Sequence, residues 1–347
     1  MKQNKIRKLL KIKSSLPWYF FIRFLLVPIY DLIWTNIINF HGRVLYLKFY
    51  LNNKVSSKYD LKKVKNDKMV IRDDIIFKKL SSDILKQIKE NNLIDKSEKR
   101  LNSGSFNSES SNKYKSGPNA YVDDLFEDMN NELKEKIIKF ALSHEIYHSA
   151  TKYFGVLPVI AKINIVHNIV NKSKEARASM LWHKDDFGYK SLDLFLAISD
   201  INKDNGPFEF VKKKNHLGIF YKIKSNLENQ EPGQRNKLTD ENFANYFKDN
   251  DLDKFIGESG NGILIDSFTS YHRGGNCRLN NRLVLRISYQ TPDSYTLSKK
   301  DRLAFIKYIN DENLLKDKKY IYSLSKRNSF NITQKLLAFY RFFHYQA

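Results

Sequence analysis

Between Ser191 and Ser199 every second residue is a large aliphatic one. Leu192, Leu194, Leu196 and Ile198 alternate with Ser191, Asp193, Phe195, Ala197 and Ser199. Alternation with a period of two is what a pleated strand imposes on a half-buried surface, so this stretch reads as a strand rather than an amphipathic helix. It runs toward a turn at Asp204, Asn205, Gly206 and Pro207, where Asn and Gly tolerate positive φ and Pro fixes its own, and an apolar run to Val211 follows. The pattern returns late in the chain. Leu283, Leu285, Ile287 and Tyr289 fall on one face, and Arg282, Arg286 and Ser288 on the other. These blocks make the fold class mainly β, with helices flanking the core.

The polar residues of these blocks are of types that carry chemistry. His183 and Asp185 are one residue apart, so on a strand both side chains leave the same face. An HxD pair alone is a weak signal, but His272 follows an apolar run, Gly262 to Phe268, at a position where a strand should end. Two imidazoles and one carboxylate are the donor set of the non-haem iron(II) facial triad, which leaves coordination positions for a bidentate co-substrate and for O2. A planar, permanently charged guanidinium suits the far carboxylate of a small dicarboxylate such as 2-oxoglutarate. Arg282 and Arg286 are candidates for that contact, and the Ser288 hydroxyl can add a hydrogen bond.

From about Tyr153 to Thr291 the chain resembles the phytanoyl-CoA dioxygenase-like branch of the iron(II) and 2-oxoglutarate-dependent oxygenases. The resemblance is carried by YFGVLPVI, SMLWHKDD, LAISDINKDNGPFEFVKKKNH, GILIDSFTSYHRGG and NNRLVLRISYQT. It implies a double-stranded β-helix (jelly roll), with His183, Asp185 and His272 as iron ligands. It also implies Arg282 as the arginine that pairs with 2-oxoglutarate and Arg286 as the reserve. The implied activity is hydroxylation of a C–H bond, with succinate and CO2 as co-products. Asp185 is a carboxylate, so no ligand position is freed for halide, which favours hydroxylation over halogenation. The chain departs from the family where relatives often carry Gln shortly before the tryptophan and Lys on the next strand. Here Met180 and Leu181, then Asp193, stand in those places.

Around this block the chain divides into a basic, aromatic-rich segment (1–72), the oxygenase-like core (73–297) and a helical tail (298–347). The net charge of +22 is concentrated at the start: residues 1–72 hold sixteen Lys and Arg against three Asp and Glu. The run from Leu16 to Phe40 is apolar, but Arg23, Pro28 and Asp31 interrupt it before it reaches the roughly 20 residues a spanning helix needs. No secretory cleavage pattern follows it. Two readings stand. Residues 1–40 lie in the interface of an anionic membrane through Trp18, Tyr19 and Trp34, or they form a helical hairpin packed on the core. The expected location is cytoplasmic, peripheral on the inner face of a membrane under the first reading. A single cysteine, Cys277, excludes an intramolecular disulfide and fits a reducing compartment. With no phosphate loop, CxxC pair or nucleic-acid signature, basic charge alone does not argue for a nucleic-acid partner. The expected substrate is a small molecule, or a lipid-linked one if the N-terminal segment docks on a membrane.

Two further segments carry expectations. Asp95 to Pro118 is polar and reads as a flexible loop, while a long helix is expected from Asp123, with Leu133, Ile137, Phe140, Ala141, His144, Tyr147 and His148 on one face. Within that helix His144, Glu145 and His148 match HExxH, in which two His one turn apart bind zinc and the Glu serves as base. No third ligand is evident, and the plainer reading packs both His beneath the β core. The alternatives to an oxygenase are therefore a zinc metallopeptidase, and a peripheral membrane protein with a non-catalytic oxygenase-like core.

Overall fold

The computed structural model describes residues 69–103, 121–156, 158–170, 178–185, 191–212, 237–267 and 270–291. The expectations for residues 1–68, 104–118 and 298–347, and for Asp186, Phe187 and His216, lie outside the described residues.

The strands pair antiparallel throughout. One sheet is ordered β1 (Met69–Ile71), β9 (Gly262–Ile265), β5 (Ser191–Ala197), β11 (Arg282–Gln290), β3 (Val159–Asn168), β2 (Val122–Asp124). The other is ordered β7 (Lys237–Leu238), β4 (Trp182–His183), β10 (His272–Gly274), β6 (Phe208–Val211), β8 (Leu252–Phe255). Leaving aside β1, β2 and β7, the chain crosses between the sheets at each step except from β6 to β8, so that β3 pairs with β11, β4 with β10, β5 with β9 and β6 with β8. That winding is a double-stranded β-helix, the jelly roll. β1 lies upstream of residue 73 and forms an edge of the first sheet.

The alternation in β5 and β11 sorts their side chains between two apolar layers. Leu192, Leu194, Leu196, Leu285 and Ile287 face outward against the helices, while Ala197 and Val284 face inward with Phe208, Phe210 and Phe255 of the second sheet. β5 is therefore covered on both faces rather than half-buried, and only Phe195 along it is partly accessible. Each such aliphatic side chain contributes about 1.5–3 kcal/mol on burial. The helical layer begins with α1 (Ile75–Glu90), whose first turn is capped by the Asp74 carboxylate accepting from Ile76 N and Phe77 N. Its buried Phe77, Leu80, Ile84 and Ile88 form a stripe at helical spacing. Among the described residues no helix is long and apolar enough to cross a membrane.

Two expectations fail here. The first part of the expected loop at 95–118 belongs to a helix, α2 (Leu93–Ser103). Its polar composition hid a buried stripe of Leu93, Ser97 and Leu101, and its charges are paired: Arg100 binds buried Asp123 and half-buried Asp128, and Glu98 accepts from Asn281. The expected long helix from Asp123 is a strand followed by two helices, α3 (Asn131–Ala141) and α4 (His144–Phe154). Asn130 caps α3 by accepting from Leu133 N at 2.8 Å, and extended Ser143 precedes α4. Both are residue types that start helices rather than continue them. The paired acids that looked like a helix start lie on β2, where the Asp124 carboxylate accepts from Ile165 N of the neighbouring strand and from Phe126 N.

The turn at Asp204–Pro207 forms as expected. Gly206 has φ +65°, and a Cβ there would stand 2.4 Å from the Gly275 carbonyl oxygen, so the β5–β6 turn can abut the β10–β11 turn only without a side chain. Gly206→Ala should therefore lower stability by about 2 kcal/mol in urea denaturation, as backbone strain and overpacking combine.

Candidate metal and co-substrate site

β4 and β10 are neighbours, and their register places His183 directly opposite His272. His272 opens β10 rather than ending the strand formed by Gly262–Ile265, and the two imidazole centroids are 4.5 Å apart. Asp185 lies just past β4, its backbone N–H donating to Ser267 O at 3.0 Å. From there its carboxylate reaches between the rings. Oδ1 is 3.7 Å from His183 Nε2, and Oδ2 is 3.9 Å from His272 Nε2. One ligand atom from each of the three residues lies within 4.8 Å of the others.

The imidazoles are turned so that Nε2 carries the lone pair. His183 Nδ1 donates to the Leu181 carbonyl at 2.7 Å, and His272 Nδ1 donates to the Ser270 carbonyl at 2.9 Å. A carbonyl can only accept, so the proton belongs on Nδ1, which is the usual arrangement behind a metal-binding histidine. Burial, and then the adjacent His272, depress the His183 pKa to about 4, leaving a neutral ring at neutral pH. For Asp185, burial opposes ionisation, but Arg286 and the two imidazoles outweigh it and hold the carboxyl below the usual carboxylate range. These are the protonation states a divalent cation requires.

Beside the triad is a cavity of about 120 Å³ between the two sheets. One wall is apolar, with Phe195, Phe208, Phe255 and Val284, and the other carries Asn164, Asn168, Ser179 and Arg282. Arg282 is buried on β11 and donates through Nη2 to Asn168 Oδ1 at 3.0 Å. Its Nε and Nη1 are buried and find no acceptor among the described residues. Burial lowers the Arg282 pKa, yet a guanidinium stays charged in a protein, so the cavity contains a cation with two unmatched donors. A Cβ on Gly274 would stand 3.6 Å from Arg282 Nη2, so glycine leaves room beside the guanidinium.

The other two candidates on this strand are placed differently. Arg286 Nη2 donates to Asp185 Oδ2 at 2.6 Å, and Arg286 also forks onto Asp193. The Ser288 hydroxyl donates to Asp193 as well and does not line the cavity. Asn168, Asn164 and Gly274 were not singled out from the sequence. A signal existed: Asn164 and Asn168 alternate with Ile163 and Ile165 along β3, and Gly274 shares the inward face of β10 with His272. Trp182, beside the HxD pair, packs outside the cavity, stacked 4.0 Å from Phe243.

His144, Glu145 and His148 fall in the first turns of α4, which packs through Ile146, Tyr147 and Ala150 on the outer side of the first sheet. The side chains of His144 and His148 lie outside the described residues; among the described residues the grouping of three metal-binding side chains is His183, Asp185 and His272.

No family model matches the chain, and no curated protein is similar to it in sequence. Among solved structures it is similar to the epimerase SnoN, crystallised with Fe3+, alpha ketoglutarate and nogalamycin RO, at 14% identity over 67% of this chain and 81% of that one, with a TM-score of 0.39. EctD from S. alaskensis, in its apoform, matches at 11% identity over 69% and 79%, with a TM-score of 0.44. The non-heme alpha ketoglutarate dependent carbocyclase SnoK from nogalamycin biosynthesis matches at 12% over 70% and 86%, with a TM-score of 0.40.

The same cavity is lined by a half-buried acid with a testable titration. Burial raises the Asp124 pKa to about 6, against the opposing pull of its hydrogen bonds from Asn164, Phe126 and Ile165. Between about pH 4 and pH 6 the folded protein keeps a proton that the unfolded chain has released, so stability falls as pH rises through this window. Asp124→Asn cannot ionise. In paired urea titrations the wild type should lose stability relative to this variant as pH rises from about 4 to about 6, with no further divergence above it.

Proposed function

We propose that this protein is an iron(II)- and 2-oxoglutarate-dependent oxygenase that hydroxylates a C–H bond of a small, largely apolar substrate. The observation that carries the reading is the pairing, in one cavity, of three convergent metal-binding side chains with a buried arginine that has two unmatched donors. A two-histidine, one-carboxylate set suits iron(II), and the Arg282 fork suits the far carboxylate of a dicarboxylate. When bound, the iron and 2-oxoglutarate would supply the oxidising power, with O2 as oxidant and succinate and CO2 as co-products.

The chain's own residues have separable tasks. His183, Asp185 and His272 would hold the metal through Nε2, a carboxylate oxygen and Nε2. The carbonyls of Leu181 and Ser270 keep the two rings in the binding tautomer. Arg282, steadied by Asn168, would orient the co-substrate. The aromatic wall of Phe195, Phe208 and Phe255 excludes water from the metal side of the cavity and favours an apolar substrate body.

Anaerobic titration of metal-free protein with iron(II) and then 2-oxoglutarate tests this directly. The expected result is a visible charge-transfer band in the wild type and none in His183→Ala. Arg282→Met should retain iron and bind 2-oxoglutarate about ten- to a hundredfold more weakly, the range expected when charge-assisted hydrogen bonds are lost. No band in the wild type, together with metal binding that survives in His183→Ala, would overturn the assignment.

A further inference from the structure

We infer that Arg286, clamped between two carboxylates, is a positioning residue that makes Asp185 a ligand through one oxygen only. The inference rests on the oxygenase reading and extends it to a residue that lines the same cavity and acts through Asp185. Asp185 Oδ2 receives Arg286 Nη2 at 2.6 Å, whereas Oδ1 receives no hydrogen bond among the described residues and stands 3.7 Å from His183 Nε2. Both oxygens lie near the imidazoles, Oδ2 at 3.9 Å from His272 Nε2, but Oδ2 is the one engaged by the guanidinium and Oδ1 is the one left open.

The guanidinium is itself fixed. Its Nε lies 3.2 Å from Asp193 Oδ1, and its Nη2 lies 3.0 Å from Asp193 Oδ2, a two-point fork on a carboxylate with no solvent exposure. The Ser288 hydroxyl donates to the same Asp193, and strand register sets Ser288 opposite Asp193 and Arg286 opposite Phe195. The fork therefore spans β11 and β5, two strands in the middle of the first sheet. A flexible loop could let Asp185 swing, whereas a guanidinium anchored on two core strands holds it.

The chemical consequence follows from counting coordination positions. Two imidazoles and a carboxylate binding through both oxygens would occupy four of six positions, too many for a bidentate keto acid and O2 together. Binding through one oxygen leaves three. The network also answers the departure from the family at position 193. Where relatives often carry Lys, this chain has a buried Asp193, and Arg286 is its counter-charge as well as that of Asp185. Neither carboxylate would be tolerated alone at this depth.

Cobalt(II), whose visible spectrum reports coordination number, is the probe, used with the full-length protein. In Arg286→Gln/Asp193→Asn the fork and its anchor leave together, and the bound metal remains as the counter-charge of Asp185. Cobalt affinity should fall about ten- to a hundredfold, as for loss of a partner that orients a metal ligand. The cobalt spectrum should change before 2-oxoglutarate is added, and at saturating cobalt the thermal midpoint should stay close to that of the wild type. Arg286→Lys, which keeps the charge but not the fork, should recover part of the affinity and little of the spectrum. If the double variant fails to fold, Arg286→Lys decides by the same readouts. Wild-type affinity and an unchanged spectrum in the folded variants would overturn the role of Arg286 and leave the oxygenase assignment standing. Cobalt binding that is unaffected by His183→Ala would overturn the assignment itself.

Discussion

β11 is hydrogen-bonded along both edges and buried on both faces, and the rest of the molecule is arranged by that constraint. It pairs with β3 on one side and β5 on the other. Its outward residues, Leu283, Leu285, Ile287 and Tyr289, close the core beneath the helices, and the Tyr289 hydroxyl donates to Ala141 O at the end of α3. Its inward residues are Arg282, Val284, Arg286 and Ser288. A strand held this way has no freedom to slip, because a shift by one residue would drive two guanidinium groups into an aliphatic layer. The arginines are therefore placed by the hydrophobic effect acting on their neighbours.

That placement creates an electrostatic problem which the site solves locally. Around the triad the guanidinium groups of Arg282 and Arg286 and the carboxylates of Asp185 and Asp193 do not share their contacts evenly. Arg286 satisfies both acids, while Arg282 is left with Asn168, a neutral partner. The uneven sharing of partners separates the two arginines, although both lie on one face of one strand four residues apart.

The helical layer shows how buried polar contacts can disguise an element. α2 reads as a loop because its side chains are polar, yet Ser97 pairs with His167, Arg100 with two aspartates and Glu98 with Asn281. The break between α3 and α4 was marked by an ordinary N-cap residue type, Ser143, but the continuous apolar stripe across it argued for one helix. Periodicity reports which face is buried and does not report whether the axis continues. The HExxH spacing arises at the start of the second of these helices, on the far side of the first sheet from the cavity.

The sequence by itself determined the β character of the core, the turn at Gly206, the inward face of β11 and the residue types His183, Asp185 and His272. Each of these follows from local rules: a side-chain period of two, the φ preference of glycine, and the short list of side chains that bind metals. Tertiary structure decided everything that depends on pairing between distant segments. It set His183 opposite His272 across two strands. It gave Arg286 to Asp185 and Asp193, removed Ser288 from the cavity, and brought Asn168 to Arg282. Such contacts join residues roughly a hundred positions apart, and no local pattern encodes them, because the energy that selects a partner comes from burial and desolvation in the assembled barrel.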